Sequence, residues 1–266
     1  MLRNSGLLLA LCTLLFASCM EDSKVVKISK DGSGILQERD FRRTWDEEKD
    51  VEMPNAEELL EKAASLGPDV TVTSAKISQN PRGWFGYEIV YAFPDINDLV
   101  IHASGKQNAE KPQDDLIVRF HMENGQLEAN FENPLWTAAK AKPITGTDGP
   151  TIDPYADAPG PRAEGLKISL GPSIDPQSDE WKRMTRGMRK GIFIQIDGAL
   201  KETNASFQRG ELYSLMDFDL GKMNESGELE NFDQLSPASR EGMQQLVEEL
   251  DGFQVDLQQP VRFVFE

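Results

Sequence analysis

Trp84-Phe85-Gly86-Tyr87-Glu88-Ile89-Val90-Tyr91-Ala92-Phe93 sets Phe85, Tyr87, Ile89, Tyr91 and Phe93 at every second position. Side chains alternate across a strand, so all five project to one face, and an aromatic face of this size calls for a sheet buried on one side. This run is expected at the centre of the core. Asn80-Pro81-Arg82-Gly83 before it is a turn, and 70–77 carries another strand pattern. Downstream, the patterns at 116–122 and 127–131 flank Asn124-Gly125, a strong hairpin signal. Upstream, Val25, Val26 and Ile28, the turn-forming Asp31-Gly32-Ser33-Gly34 and then 35–41 read as a further hairpin. Between these lies a helix at 55–66. Asn55 caps it, Glu58 holds the capping-box position, Leu59, Leu60 and Ala63 form its apolar stripe, and Gly67-Pro68 end it.

From 133 to 165 the pattern gives way to a stretch with six prolines (134, 143, 150, 154, 159 and 161), a long loop or linker. Order resumes with strand-like 166–170, a helix near 179–190, strands near 192–200 and 212–220, a helix at 236–250 and a strand region at 253–265. In the last helix Pro237 suits the first turn, and Met243, Leu246, Val247 and Leu250 form the buried stripe. Strand-rich order with three inserted helices predicts an α+β fold with a largely antiparallel sheet. The favoured arrangement is one compact body with a Pro/Gly-rich excursion, because the C-terminal strands carry more apolar faces than their own half can cover. The alternative is two α+β sub-domains, 24–132 and 166–266, meeting across that stretch.

The first nineteen residues are of another kind. One basic residue, Arg3, precedes a twelve-residue apolar run at 6–17, then Ala17-Ser18-Cys19. The run is too short for a bilayer of ~30 Å, which takes about 20 helical residues, so it reads as an export signal at 1–18. It resembles the lipobox of bacterial lipoproteins, with Phe16 where leucine is usual. That resemblance implies cleavage before Cys19 and acylation of its sulfur, with 19–23 left as a short lipidated tether. Two or three acyl chains, at about 0.8 kcal/mol per buried methylene, hold a protein on a membrane essentially permanently. Met20 stands where aspartate marks inner-membrane retention, so the expected address is the cell envelope, lipid-anchored to the outer membrane and facing the periplasm. The competing reading is an ordinary signal peptide with an incidental cysteine.

Cys12 would leave with the signal and Cys19 would be acylated, so the mature chain of 248 residues has no cysteines for an internal disulfide. A chain of that size buries roughly 70% of its unfolded surface and can fold on its core alone. Loss of Arg3 moves the formal charge from −17 to −18. Such a surface disfavours nucleic acid and broad contact with anionic lipid.

Candidate chemistry is sparse. His102 and His121 each sit in a strand pattern opposite the larger apolar residues, without a cysteine or second histidine at ligand spacing, and read as solvated surface histidines. The common hydrolase, zinc-protease and phosphate-loop motifs do not occur, and no catalytic residue, metal ligand or cofactor is assigned. Asp217 and Asp219, at i and i+2 of a strand, would share one face about 7 Å apart, within glycosidase or metal geometry, but an acidic strand edge that resists aggregation explains them as well. The run 224–229 imitates the middle of a calcium loop, yet Lys222 falls on its first ligand position. Lys182, Arg183, Arg186, Arg189 and Lys190 would share a face of the 179–190 helix that buries Trp181, Met184 and Met188. Arg186 and Arg189 are the candidate ligand residues, for an anionic headgroup or acidic partner, and internal pairing is the other reading. The aromatic face at 85–93 reads as packing before it reads as the lining of an apolar cup. Asn204 and Asn224 match glycosylation sequons and are read as turn residues.

Several strings taken together, Asp31-Gly32-Ser33-Gly34, Tyr91-Ala92-Phe93-Pro94-Asp95-Ile96-Asn97-Asp98-Leu99, Thr203-Asn204-Ala205-Ser206, Leu215-Met216-Asp217-Phe218-Asp219 and Leu250-Asp251-Gly252-Phe253, resemble a family of uncharacterised bacterial lipoproteins from lineages such as Planctomycetes and Verrucomicrobia. The likeness spans nearly the whole mature chain and implies secretion and an α+β fold, with no activity or ligand to carry over. The segment 198–210 is also similar to a module of mycobacterial LppM-type lipoproteins, which implies a lipid-accommodating cup. The functional expectation is a non-catalytic, membrane-anchored protein that binds an envelope protein or an apolar ligand. The alternatives are a secreted carboxylate-dependent hydrolase and a lipid carrier.

Overall fold

The computed structural model describes residues 20–43, 46–103, 117–132, 178, 182, 185–225, 244 and 247–266. It is sheet-dominated, with few helices. The larger sheet has the order β10 (Gln208–Arg209), β11 (Leu212–Asp219), β8 (Arg189–Asp197), β1 (Met20–Ser29), β2 (Gly34–Arg42), β4 (Phe85–Phe93), β3 (Thr71–Gln79), with β12 (Phe253–Val255) also paired to β11. The smaller has the order β5 (Val100–His102), β6 (Ile117–Glu123), β7 (Gln126–Glu132), β13 (Val261–Phe265), β9 (Leu200–Thr203). Among the described strands every pairing is antiparallel except β1 with β8, which run parallel.

Two of these pairings tie the ends of the chain together. β1 lies against β8 in the large sheet and β7 against β13 in the small one, so each sheet takes strands from before and after the proline-rich stretch. One apolar cluster runs from Val26 to Phe265 between them. Tyr91, Phe93 and Ile89 are fully buried there, as the alternation in β4 predicts, and Tyr213 of β11 meets Phe263 of β13 edge to face at 5.1 Å. Gly86 interrupts the aromatic strand for a steric reason: a Cβ there would lie 2.1 Å from the Asp40 carbonyl oxygen of β2.

Helix α1 (Ala56–Leu66) starts as its sequence dictates, with Asn55 Oδ1 accepting from the backbone N–H groups of Glu57 and Glu58, and Glu58 accepting from that of Asn55. Its stripe differs by one position. Ala63 and Leu66 are buried and Leu59 half-buried, whereas Leu60 is 68% exposed. The hairpin at Asn124-Gly125 has both residues at positive φ, 52° and 76°, as a two-residue turn requires.

Three sequence expectations are corrected. The first strand starts at Met20, not near Val25, because Asp22 and Lys24, which break the apolar pattern, are buried by pairing with other charges. The predicted helix through Lys190 stops earlier: Thr185 is helical, Gly187 turns at φ 86°, and Arg189 and Lys190 already belong to β8. Asn224, expected as a turn residue, lies instead in a short helix, α2 (Leu220–Glu225), where it is buried and donates to Thr185 Oγ1 at 3.1 Å. The expectations for 133–165, for 166–170 and for most of the 236–250 helix lie outside the described residues; of that helix Val247, Glu248 and Glu249 are helical and Leu250 is buried.

Candidate functional site

Alternation along β1 puts Asp22 and Lys24 on the same face as Val26 and Ile28, and along β2 it puts Glu38 and Asp40 beside Leu36. The pairings of β1 with β2 and β8 bring Lys190 to Asp22 and Glu38 to Lys24. The half of this inner face nearest the start of β1 is therefore a layer of buried charges. Asp22, Lys24, Glu38, Asp40 and Lys190 are each 3–7% exposed. Lys24 Nζ lies 3.4 Å from Asp22 and 3.8 Å from Glu38, and Lys190 Nζ lies 3.2 Å from Asp22. Lys62 of α1 reaches in to Glu38 at 2.6 Å, Arg42 pairs with Asp40 at 3.1 Å, and Tyr87 donates its hydroxyl proton to Asp40 at 3.2 Å.

The electrostatics are those of mutual locking. Burial alone would raise the Asp22 carboxyl, but Lys24 and Lys190 outweigh it and hold the pKa at about 2. Burial would likewise lower Lys24, yet Asp22 and Glu38 keep it above the ordinary lysine range. Lys190, buried with Lys24 beside it and Asp22 as its closest counter-charge, is pushed down. Tyr87 and Tyr91 are both raised, first by burial and then by the carboxylates around them. Two atoms of the layer have no hydrogen-bond partner among the described residues, Glu38 Oε2 and the Tyr91 hydroxyl. They are diagonal neighbours, since Leu36 pairs with Tyr91 and Glu38 with Ile89.

A second polar cluster caps the same end of the large sheet from outside. Glu21 Oε2 accepts from Arg82 Nη1 at 2.9 Å and from Asn80 Nδ2 at 3.0 Å. Asn80 Oδ1 in turn accepts from the backbone N–H groups of Arg82 and Trp84, which fixes the turn between β3 and β4. Arg82 also donates to the Gly187 carbonyl at 3.3 Å, and its guanidinium lies 5.8 Å from the Trp84 ring centre.

The residues singled out from sequence fall as follows. Cys19 lies outside the described residues. Arg186 is exposed in the turn before β8. Arg189 is in β8, gripping Asp217 of β11 with two hydrogen bonds, the one from Nε at 2.6 Å, and the contact raises its pKa. The structure thus separates the two arginines, and it brings Arg189 together with one member of the suspected carboxylate pair. The other member, Asp219, accepts from the Lys222 backbone N–H at 3.1 Å. His121 is largely exposed, 3.7 Å from Glu123, and His102 is half-buried in β5. Asn204 is tied by hydrogen bonds to Pro260 and Arg262.

Sequence reading missed the charged layer, and alternation was the signal that could have found it: Asp22 and Lys24 keep step with Val26 and Ile28, and Glu38 and Asp40 with Leu36. It also missed Asp256, fully buried, which accepts from the backbone and hydroxyl of Ser206 and from the Gln258 N–H. Among the described residues no group of three or more histidines, cysteines and carboxylates is arranged to hold a metal ion. A cleft of about 460 Å³ lies on the surface between α1 and β3, lined by Leu60, Ala63, Ala64, Val70 and Val72 among others. Comparison with protein-family models, with curated proteins and with solved structures returned no match.

Proposed function

We propose that this is a lipid-anchored protein of the bacterial cell envelope, with an α+β body that works by binding rather than by catalysis. The observation that carries the reading is the position of β1. It starts at Met20, the residue after Cys19, and runs through the interior of the eight-stranded sheet between β2 and β8. An acyl chain on Cys19 would be attached one peptide bond, ~3.8 Å between Cα atoms, from a strand hydrogen-bonded on both sides. The strand needs no flexible tether and leaves no room for one, which refines the expectation of a spacer at 19–23.

The binding half of the proposal draws on how the charges are used. Asp217 is gripped by Arg189 and one oxygen of Asp219 accepts from a helix N–H, so both members of the suspected hydrolytic pair already have structural partners, which favours a structural use of these carboxylates. The aromatic side chains that a lipid cup would have needed, Tyr87, Tyr91 and Phe93, are part of the shared core, in line with the packing reading of that face. Metabolic labelling with radioactive palmitate tests the reading. The wild-type chain takes up label and fractionates with membranes, and Cys19→Ser does neither; equal labelling of both, or of neither, overturns it.

A further inference from the structure

We propose that the end of the large sheet where β1 begins, capped by the turn at 80–84 and by Arg186, is the face that rests on the lipid bilayer. The inference stands on the reading of Cys19 as the acylated residue and adds an orientation to it. The direction of β1 fixes which end is near. Its first residue follows Cys19 directly, and its tenth, Ser29, lies ~30 Å further along at 3.3 Å per residue. The register then sorts the other strands: Arg42, Phe85 and Arg189 stand at the near end, beside Met20 and Glu21 or one strand further on, and the turns at 31–33 and 124–125 lie at the far end.

A clamp makes that orientation rigid. Glu21, two residues beyond Cys19, is held by both Arg82 and Asn80, so the turn between β3 and β4 folds across the sheet end onto the start of β1. The side chains this turn presents suit a headgroup layer. Arg82 is exposed above a half-buried Trp84, and Arg186 is exposed in the neighbouring turn that Arg82 reaches through Gly187. Tryptophan and arginine combine an apolar body with a polar end, which matches the interface between acyl chains and phosphates. The face is not uniformly basic, because the exposed acidic turn of Glu47, Glu48 and Asp50 leaves the same end of β2. With a formal charge of −18 on the mature chain, once Arg3 is lost, it does not recruit the body to lipid by itself; the anchor supplies affinity, and the arginines and tryptophan set the side that touches.

The test uses the full mature acylated protein in vesicles of phosphatidylcholine and phosphatidylglycerol. Single cysteines are placed by Pro81→Cys or Arg186→Cys at the near end and by Glu123→Cys at the far end, each carrying an environment-sensitive fluorophore, and headgroup spin-labelled lipid serves as quencher. The thioether at Cys19 does not react with the label. Strong loss of emission at 81 and 186 with none at 123 is the expected result. Equal loss at all three, or more at 123, overturns the orientation while leaving the anchor in place. Failure of every variant to float with vesicles overturns the anchor and the orientation together.

Discussion

Arg82 Nη1 lies 2.9 Å from Glu21 Oε2, and Asn80 donates to the same oxygen at 3.0 Å. A single carboxylate thereby joins the first strand to the turn between the third and the fourth. The two donors are not equivalent. Arg82 is 44% exposed in its side chain, whereas Asn80 is buried and also satisfies two backbone N–H groups of the turn. Arg82→Ala is therefore expected to cost less than about 1 kcal/mol, as exposed ion pairs do. Asn80→Ala strands buried donors and is expected to cost roughly 1–3 kcal/mol. Urea midpoints of the two variants measure the difference, and a larger loss at Arg82 contradicts it.

The charged layer makes a second contrast. Removing one partner of a buried pair leaves the other charged and unpaired, so Lys24→Met is expected to destabilise by about 3–5 kcal/mol. Replacing Lys24, Asp22 and Glu38 together by apolar residues of similar size removes the stranded charges and is expected to recover most of that loss. Denaturant unfolding of both variants checks the pair of outcomes.

Asp22 also sets an acid limit. Its folded pKa of about 2 lies below its ordinary 3.8, so the native state binds fewer protons there than the unfolded chain. The resulting stability is fully present above about pH 4 and is lost as pH falls towards 2; a gap of this size corresponds to roughly 2 kcal/mol. Asp22→Asn is expected to flatten the stability–pH curve between pH 4 and pH 2 while lowering its level at pH 7. A wild-type curve with no slope in that window rules out the assignment.

The two arginines chosen from sequence separate in the same manner. Arg189→Gln leaves Asp217, largely buried, without its bidentate partner and is expected to cost about 1–3 kcal/mol. Arg186→Gln, in an exposed turn, is expected to stay within about 0.5 kcal/mol of wild type. Thermal melts of the two single variants are the measurement.

What the sequence made legible was whatever follows from local pattern. The alternation at 85–93, the Asn55 cap and the Asn124-Gly125 turn each predict their element because the cause lies within a few residues. What escaped were features whose cause is distant in the chain. Asp22 and Lys24 look like the polar start of a tether until β2 and β8 bring Glu38 and Lys190 against them. Arg189 fits a basic helical face until Gly187 ends the helix and β11 supplies Asp217. Leu60 fits an apolar stripe, but the body that α1 packs on begins one position further round. The parallel pairing of β1 with β8 joins strands some 170 residues apart, and no local signal announces it.

On the proposed reading the folded body begins directly at an acylated Cys19. Intact-mass and fragment analysis of the mature protein's N-terminal tryptic peptide tests it most directly. The expected peptide starts at Cys19, ends at Lys24 and carries acyl-glycerol mass on the sulfur. A mature chain that starts at another residue, or a Cys19 with a free thiol, contradicts it.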